Sequence, residues 1–261
     1  MAFANVEIER ADGIATLWMN RPELRNAFNS ELIAELTEAL GELAMDDESR
    51  VVVLAGRGVS FCAGADLGWM KTCAEADLET NLDDARRLAA LLRRLAGLRK
   101  PTIARVHGPA IGGGMGLAAA CDICIAAADA FFAASEVRLG LIPAVIGPYV
   151  LRAIGARQAS RYILTGERMS AAQAQQLGLV HEIPSPEAID AKIGEIAAAL
   201  LQGGPEALAS AKLLLREIAH RPLDESLSED TARRIAEIRA GAEAREGISA
   251  FLEKRPPVWR P

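Results

Sequence analysis

The chain has 261 residues, 51% of them hydrophobic, and a formal net charge of −6. That composition supports a sizeable buried core and argues against disorder. The acidic balance argues against a nucleic-acid binder, which needs a basic face, but leaves room for a small anionic ligand held by a few local cations.

The stretch MAFANVEIERADGIATLWMN has neither the basic start nor the apolar centre of a secretory signal, and Glu7, Glu9 and Asp12 oppose a transit peptide. Residues 5–9 and 14–19 predict two strands around an Asp12–Gly13 turn. From Asn29 or Ser30, both good N-caps, Leu32, Ile33, Leu36, Leu40 and Leu43 recur at helical spacing. VVVLAG (51–56) is a short unbroken apolar run, as in a strand buried on both faces. GRGVSFCAGAD then reads as a loop, and residues 78–97 as a helix with Leu82, Leu88, Leu92 and Leu95 inward.

PTIARVHG (101–108) predicts the next strand, followed by a glycine turn and a helix. ICIAAADAFFAA supplies further short strands, and LVHEI (179–183) the last one. Strands alternating with helices predict βαβ units and largely parallel pairing. Beyond about residue 186 the pattern is helical only, with Gly203, Gly204 and Pro205 as punctuation and a final helix over 226–253. The expected organisation is an α/β core over residues 1–195 and a helical region over 196–261. The longest apolar stretch, 117–134, is interrupted by Asp122 and Asp129, so no membrane span is predicted. The expectation is a soluble, cytoplasmic protein with neither membrane nor nucleic acid as partner.

Cys62, Cys73, Cys121 and Cys124 contain one C-x-x-C without a partner pair, and His107, His181 and His220 are scattered. No metal site is expected; the cysteines read as small buried residues in a reducing compartment.

Gly112, Gly113, Gly114 and Gly116 sit directly before an apolar helical run. A P-loop would need a following Lys-Ser/Thr, a dinucleotide fingerprint would need G-x-G-x-x-G, and a serine-hydrolase elbow G-x-S-x-G. None is present, although Glu136 lies near where a ribose-binding acid would fall. The remaining chemical use is an oxyanion hole: a helix N-terminus offers free N–H groups, and absent side chains let a substrate oxygen reach them. FCAGAD (61–66) also follows a buried strand, and parallel topology brings both loops to one sheet edge. The plain alternative is a tight strand-to-helix turn that binds nothing.

The chain resembles the crotonase superfamily, the enoyl-CoA hydratase/isomerase family, in NRPELRNAFN (20–29), FCAGADL (61–67), VHGPAIGGGMGLAAACD (106–122), SEVRLGLIP (135–143) and FLEKRPPVW (251–259), in that order over nearly its whole length. The resemblance implies a spiral of ββα units with a C-terminal helical trimerisation region, assembled as a homotrimer or hexamer. It implies an acyl-CoA substrate, CoA entering as part of it, with no separate cofactor. Carried over, the N–H groups of Ala65 and Gly113 hold the thioester oxygen, and Glu136 is the catalytic carboxylate. Ala63, Asp66, Leu67 and Gly112 flank the site, Asp66 reading chiefly as an ordering residue for its own loop; Arg25 faces CoA phosphates or is a surface arginine, and Phe251 and Lys254 help hold CoA, often across a subunit boundary, or form a solvated C-terminal tail. Trp69 and Met70 line the acyl pocket or pack in the core.

Ser135 is positioned to cap the short helix that Glu136 begins. That helix start lowers the pKa of Glu136 while apolar Val137, Leu139 and Leu141 raise it, so the sign stays open. Two-carboxylate hydratases of the family carry a second Glu where this chain has Gly116, which implies a gap beside the oxyanion helix and suits a one-base isomerase. SEVRLGLIPAVIGPYVLRAIG and AFLEKRPP instead resemble the methylglutaconyl-CoA hydratase-like branch, whose substrates are branched and end in a carboxylate; Arg138 is a candidate partner for that group or an ordinary surface arginine. The favoured reading is a hydratase (a lyase), then an isomerase, then a non-catalytic CoA-binding scaffold.

Overall fold

Asp12 and Gly13 both take positive φ, 51° and 76°, the geometry that matches hairpin twist. They join β1 (Val6–Ala11) to an antiparallel β2 (Ile14–Met19) in the computed structural model, which describes residues 3–260. Next come α1 (Ser30–Met45), β3 (Val51–Gly56), α2 (Leu67–Glu75) and α3 (Leu78–Gly97). β4 (Thr102–Val106), β5 (Pro109–Ile111), α4 (Gly113–Ala120), β6 (Ile123–Ala126) and β7 (Phe131–Ala133) follow. The chain continues through α5 (Gly147–Thr165), β8 (Met169–Ser170), α6 (Ala171–Gln176) and α7 (Ile189–Leu201). It ends with α8 (Pro205–Ile218), α9 (Glu225–Ala240) and α10 (Ala242–Leu252).

The main sheet has the order β1-β2-β3-β4-β6, parallel from β2 onward; a smaller sheet has the order β5-β7-β8. β3 is buried along its whole length because both faces are covered. Val52 and Leu54 join the cluster containing Leu36 and Leu40 of α1 and Leu92 and Leu95 of α3. Val51 and Val53 face Ile189, Ile193, Ala197 and Leu201 of α7. The alternation follows the two-residue period of a strand. Because α7 covers this face of the sheet, residues on both sides of position 195 belong to one helix and one core.

Three expectations are corrected. Residues 179–183 form only an isolated bridge, Ile125 with Glu182, rather than a strand. The last helix is two, because Gly241 is extended (φ −73°, ψ 160°) and separates α9 from α10. Leu82 is exposed, and Leu91 takes a place in the core instead.

The C-terminal helices attach at the N-terminal ends of the parallel strands. Arg50, before β3, donates to the carbonyls of Leu201 (3.2 Å) and Trp259 (2.5 Å). Lys212 of α8 donates to the Lys100 carbonyl, before β4, and pairs at 2.6 Å with Asp122, before β6. The loops that follow β3 and β5 lie at the other end of the strands.

Candidate active site

The loop after β3 is drawn into register by two short extended segments. Phe28 N–H donates to the Gly64 carbonyl (2.7 Å) and Asp66 N–H to the Phe28 carbonyl (2.8 Å), a parallel bridge centred on Ala65. On the other side Cys62 N–H donates to Pro109 O (3.0 Å) and Ile111 N–H to Cys62 O (2.9 Å). In a parallel bridge alternate peptide groups face alternate sides, so the Ala65 N–H points away from Phe28. It has no acceptor among the described residues. Asp66 caps α2: its Oδ1 accepts from Gly68 (2.8 Å) and Trp69 (3.2 Å) N–H groups, and its Oδ2 accepts from Arg21 Nη2 at 3.2 Å. These backbone donors, with Arg21, hold the Asp66 carboxyl below its ordinary range. Asp66 therefore orders its loop.

The second loop turns at Gly112, whose φ of 52° and ψ of −118° suit only glycine. Gly112 N–H is taken by Ala133 O at 2.8 Å, while Gly113, the first residue of α4, has an N–H without an acceptor among the described residues. The other glycines serve packing. A methyl on Gly113 would lie 2.2 Å from Phe28 Cε2, and one on Gly114 2.7 Å from Cys62 Cβ.

Glu136 reaches this corner from the 3₁₀ turn Glu136–Leu139. A methyl on Gly112 would stand 3.3 Å from Glu136 Oε1 and 4.0 Å from Gly64 Cα, so the carboxyl, the glycine turn and the FCAGAD loop meet. Glu136 Oε2 is buried without a hydrogen-bond partner among the described residues. Burial pushes the Glu136 carboxyl above its ordinary value, which settles the sign left open by the sequence. Of the apolar neighbours, Leu139 and Leu141 are more than half exposed, while Val137 is half-buried. Ser135 makes no capping hydrogen bond, and a four-residue 3₁₀ turn brings little dipole to oppose burial.

Gly116 departs from expectation. A methyl there would lie 2.3 Å from Ile146 Cγ2 and 3.6 Å from Leu92 Cδ1. The space implied by the missing side chain is occupied by Ile146, itself buried at the start of α5. Arg138 turns away, with Nε and Nη2 3.4 and 3.3 Å from the Thr165 carbonyl at the end of α5.

Arg25 is exposed, with left-handed backbone (φ 51°) and its carbonyl accepting from Ala63 N–H at 3.0 Å. Its guanidinium has no ion-pair partner among the described residues. Leu67 is exposed beside the loop, and Trp69 packs part-buried against the core. Phe251 is 82% exposed on α10, which packs on α8 and α9. Phe251 and Lys254 thus belong to the helical region that attaches at the N-terminal ends of the parallel strands. Cys62 is buried with its thiol pushed up to about 12 by desolvation, which makes it a poor nucleophile. Among the described residues there is no cluster of metal-ligating side chains, and no helix is long and apolar enough to cross a membrane. Sequence reading missed Phe28 and Ile146; for Phe28 the available signal was its aromatic side chain inside NRPELRNAFN.

A parallel sheet whose loops leave the Ala65 and Gly113 N–H groups without acceptors among the described residues, with a buried carboxyl at the Gly112 turn, is an arrangement suited to holding a carbonyl oxygen. The family model for enoyl-CoA hydratase/isomerase matches residues 9–261. The chain is 38% identical over 256 residues to the 2,3-dehydroadipyl-CoA hydratase of Escherichia coli, covering 97% of both chains. It is 37% identical to the 1,2-epoxyphenylacetyl-CoA isomerase of the same organism, covering 99% of this chain and 98% of that one. The crystal structure of an enoyl-CoA hydratase from Shewanella pealeana superposes with a TM-score of 0.96 at 40% identity, covering 98% of this chain and 96% of the other. This protein belongs to the enoyl-CoA hydratase/isomerase family.

Proposed function

We propose that this protein is an enoyl-CoA hydratase acting on a branched acyl-CoA that ends in a carboxylate, of the methylglutaconyl-CoA kind. The observations that support an acyl-thioester reaction are the Ala65 and Gly113 N–H groups without acceptors among the described residues, on two loops that pack together at the Gly112 turn, and the Glu136 carboxyl lying against that same turn. The substrate carbonyl oxygen sits between the two donors. As water adds to the β-carbon, its electron pair enters the conjugated system and charge accumulates on that oxygen. Fixed donors there are worth about 3 kcal/mol each.

One carboxylate suffices if it acts twice. Ionised Glu136 takes a proton from water as the oxygen bonds to the β-carbon, then delivers it to the α-carbon as the enolate collapses. Water is added and the carboxylate is regenerated. Ala63, Leu67 and Gly112 border the acyl group, Arg25 meets the CoA phosphates, and Phe251 and Lys254 reach CoA from a neighbouring subunit of a homotrimer or hexamer. No separate cofactor takes part. The branch assignment is supported by the resemblance of SEVRLGLIPAVIGPYVLRAIG and AFLEKRPP.

Gly116 favours a second reading, an isomerase in which Glu136 carries a proton from the α-carbon to the γ-carbon of a 3-enoyl-CoA. Incubation of branched, carboxylate-ended 2-enoyl-CoA and of 3-enoyl-CoA in oxygen-18 water, with mass analysis, separates the two. Oxygen incorporation into the branched substrate is expected; fast double-bond migration without incorporation on any substrate reverses the ranking.

A further inference from the structure

The motif NRPELRNAFN contributes more than Arg25. Phe28 touches both candidate oxyanion donors by different means. Its backbone brackets Ala65, accepting from Asp66 N–H at 2.8 Å and donating to Gly64 O at 2.7 Å. Its ring lies against Gly113, where a methyl would come within 2.2 Å of Cε2 and 2.4 Å of Cδ2. Phe28 is 1% exposed, so the ring fills a closed space between the two loops.

The frame behind it is fixed. Arg21, itself buried, donates from Nη1 to the Ala27 carbonyl at 2.7 Å and from Nη2 to Asp66 at 3.2 Å. Asn26 is fully buried in left-handed backbone (φ 55°), a conformation asparagine tolerates. Its Oδ1 accepts from Arg21 N–H at 2.9 Å, and its Nδ2 donates to the carbonyls of Arg57 (2.9 Å) and Ser60 (2.8 Å). Asn29 caps α1 by accepting from Leu32 N–H at 2.9 Å. Phe28 is held on both sides by satisfied polar groups, and it meets the glycine that starts α4.

We propose that Phe28 is the positioning residue of the oxyanion hole, its backbone setting Ala65 and its ring setting Gly113 so that the two N–H groups converge on one oxygen. The inference rests on the acyl-thioester reading above. Donors stabilise a developing oxyanion only within about 2.7–3.1 Å of it, and hydrogen bonds weaken steeply off that geometry. A shift of α4 toward a missing ring pulls the Gly113 donor out of range while the rest of the pocket stays in place.

The test compares wild type with Phe28→Leu, Phe28→Met and the remote core variant Leu40→Ala, with thermal unfolding measured for all. Butyryl-CoA labelled with carbon-13 at the thioester carbonyl serves as an unreactive probe. Its affinity is read by calorimetry and its carbonyl stretch by difference infrared spectroscopy; kcat is read on crotonyl-CoA. Wild type is expected to lower the carbonyl frequency on binding. Phe28→Leu should lose at least half of that shift and at least tenfold in kcat, with probe affinity within about threefold of wild type. Phe28→Met, a flexible chain of similar bulk, should fall between, and Leu40→Ala should lose thermal stability while keeping the full shift. A full carbonyl shift in Phe28→Leu or, should that variant not fold, in Phe28→Met would overturn the positioning role and leave the thioester reading intact. Absence of any shift in wild type would overturn both.

Discussion

Gly116 and Ile146 are a size-matched pair: the side chain missing from one position is replaced in space by the side chain of the other, 2.3 Å from where a methyl on Gly116 would stand. The space beside Gly116 is closed and apolar. A carboxylate cannot be restored there by one substitution. Gly116→Glu is expected to lower stability by about 1–3 kcal/mol through overpacking, and further through a buried unpaired charge. Ile146→Ala should cost about 2–5 kcal/mol as a cavity. The double variant should be more stable than the sum predicts, because each change relieves the other. Denaturant unfolding of the four proteins checks this, and strict additivity would contradict the pairing.

The limits of the sequence follow from the same kind of geometry. The two loops were legible because each joins a predicted strand to a helix start, and glycine spacing has few chemical uses. Gly116 was legible as a departure, but its meaning depended on Ile146, thirty positions away in the chain, and no local pattern links the two. The split at Gly241 was hidden by flanks of equal composition. Leu82 kept the helical period of α3, yet it lies in a turn that overhangs the core. The burial of Glu136 could not be read from its neighbours in sequence, because its carboxyl packs against the Gly112 turn, more than twenty positions away in the chain.

Glu136→Gln should reduce kcat about 10²- to 10⁴-fold, the usual range for loss of a general acid–base group. Affinity for a saturated acyl-CoA should change little, since the amide preserves size. The variant should be at least as thermally stable as wild type near neutral pH, because it removes a buried carboxylate with an unpartnered oxygen. Steady-state kinetics, calorimetry and thermal unfolding read the three outcomes. Activity within a few-fold of wild type, with folding intact, would place the catalytic group elsewhere.

The pH dependence follows from the raised pKa of Glu136. The carboxylate must be ionised to accept a proton, so kcat/KM should fall as pH drops through the folded-state pKa. The acid limb should lie above the ordinary glutamate value of about 4.3. For stability the sign is reversed. The neutral form is the one the fold favours, so this contribution is complete below the unfolded-state pKa and is lost as pH rises through the folded-state value. Glu136→Gln should therefore flatten the loss of stability with rising pH in that window. An acid limb at or below the ordinary glutamate value would contradict the assignment of Glu136 as the base.

The C-terminal helices predict assembly. Leu215 is 66% exposed, Leu223 96%, Phe251 82% and Leu252 74%, apolar side chains that packing against a second copy of this region would bury. A trimer or hexamer in light scattering at micromolar concentration is the expected state. If Phe251 and Lys254 serve a neighbour's CoA, Lys254→Ala and Glu136→Gln should complement when co-refolded. Random mixing gives about one site in four with both groups intact in a closed cyclic assembly. Those sites should show wild-type KM and the full kcat per site. A monomeric mass would remove the assembly. Mixed refolding that gives only the sum of the two separate activities would place Lys254 outside the partner's CoA site.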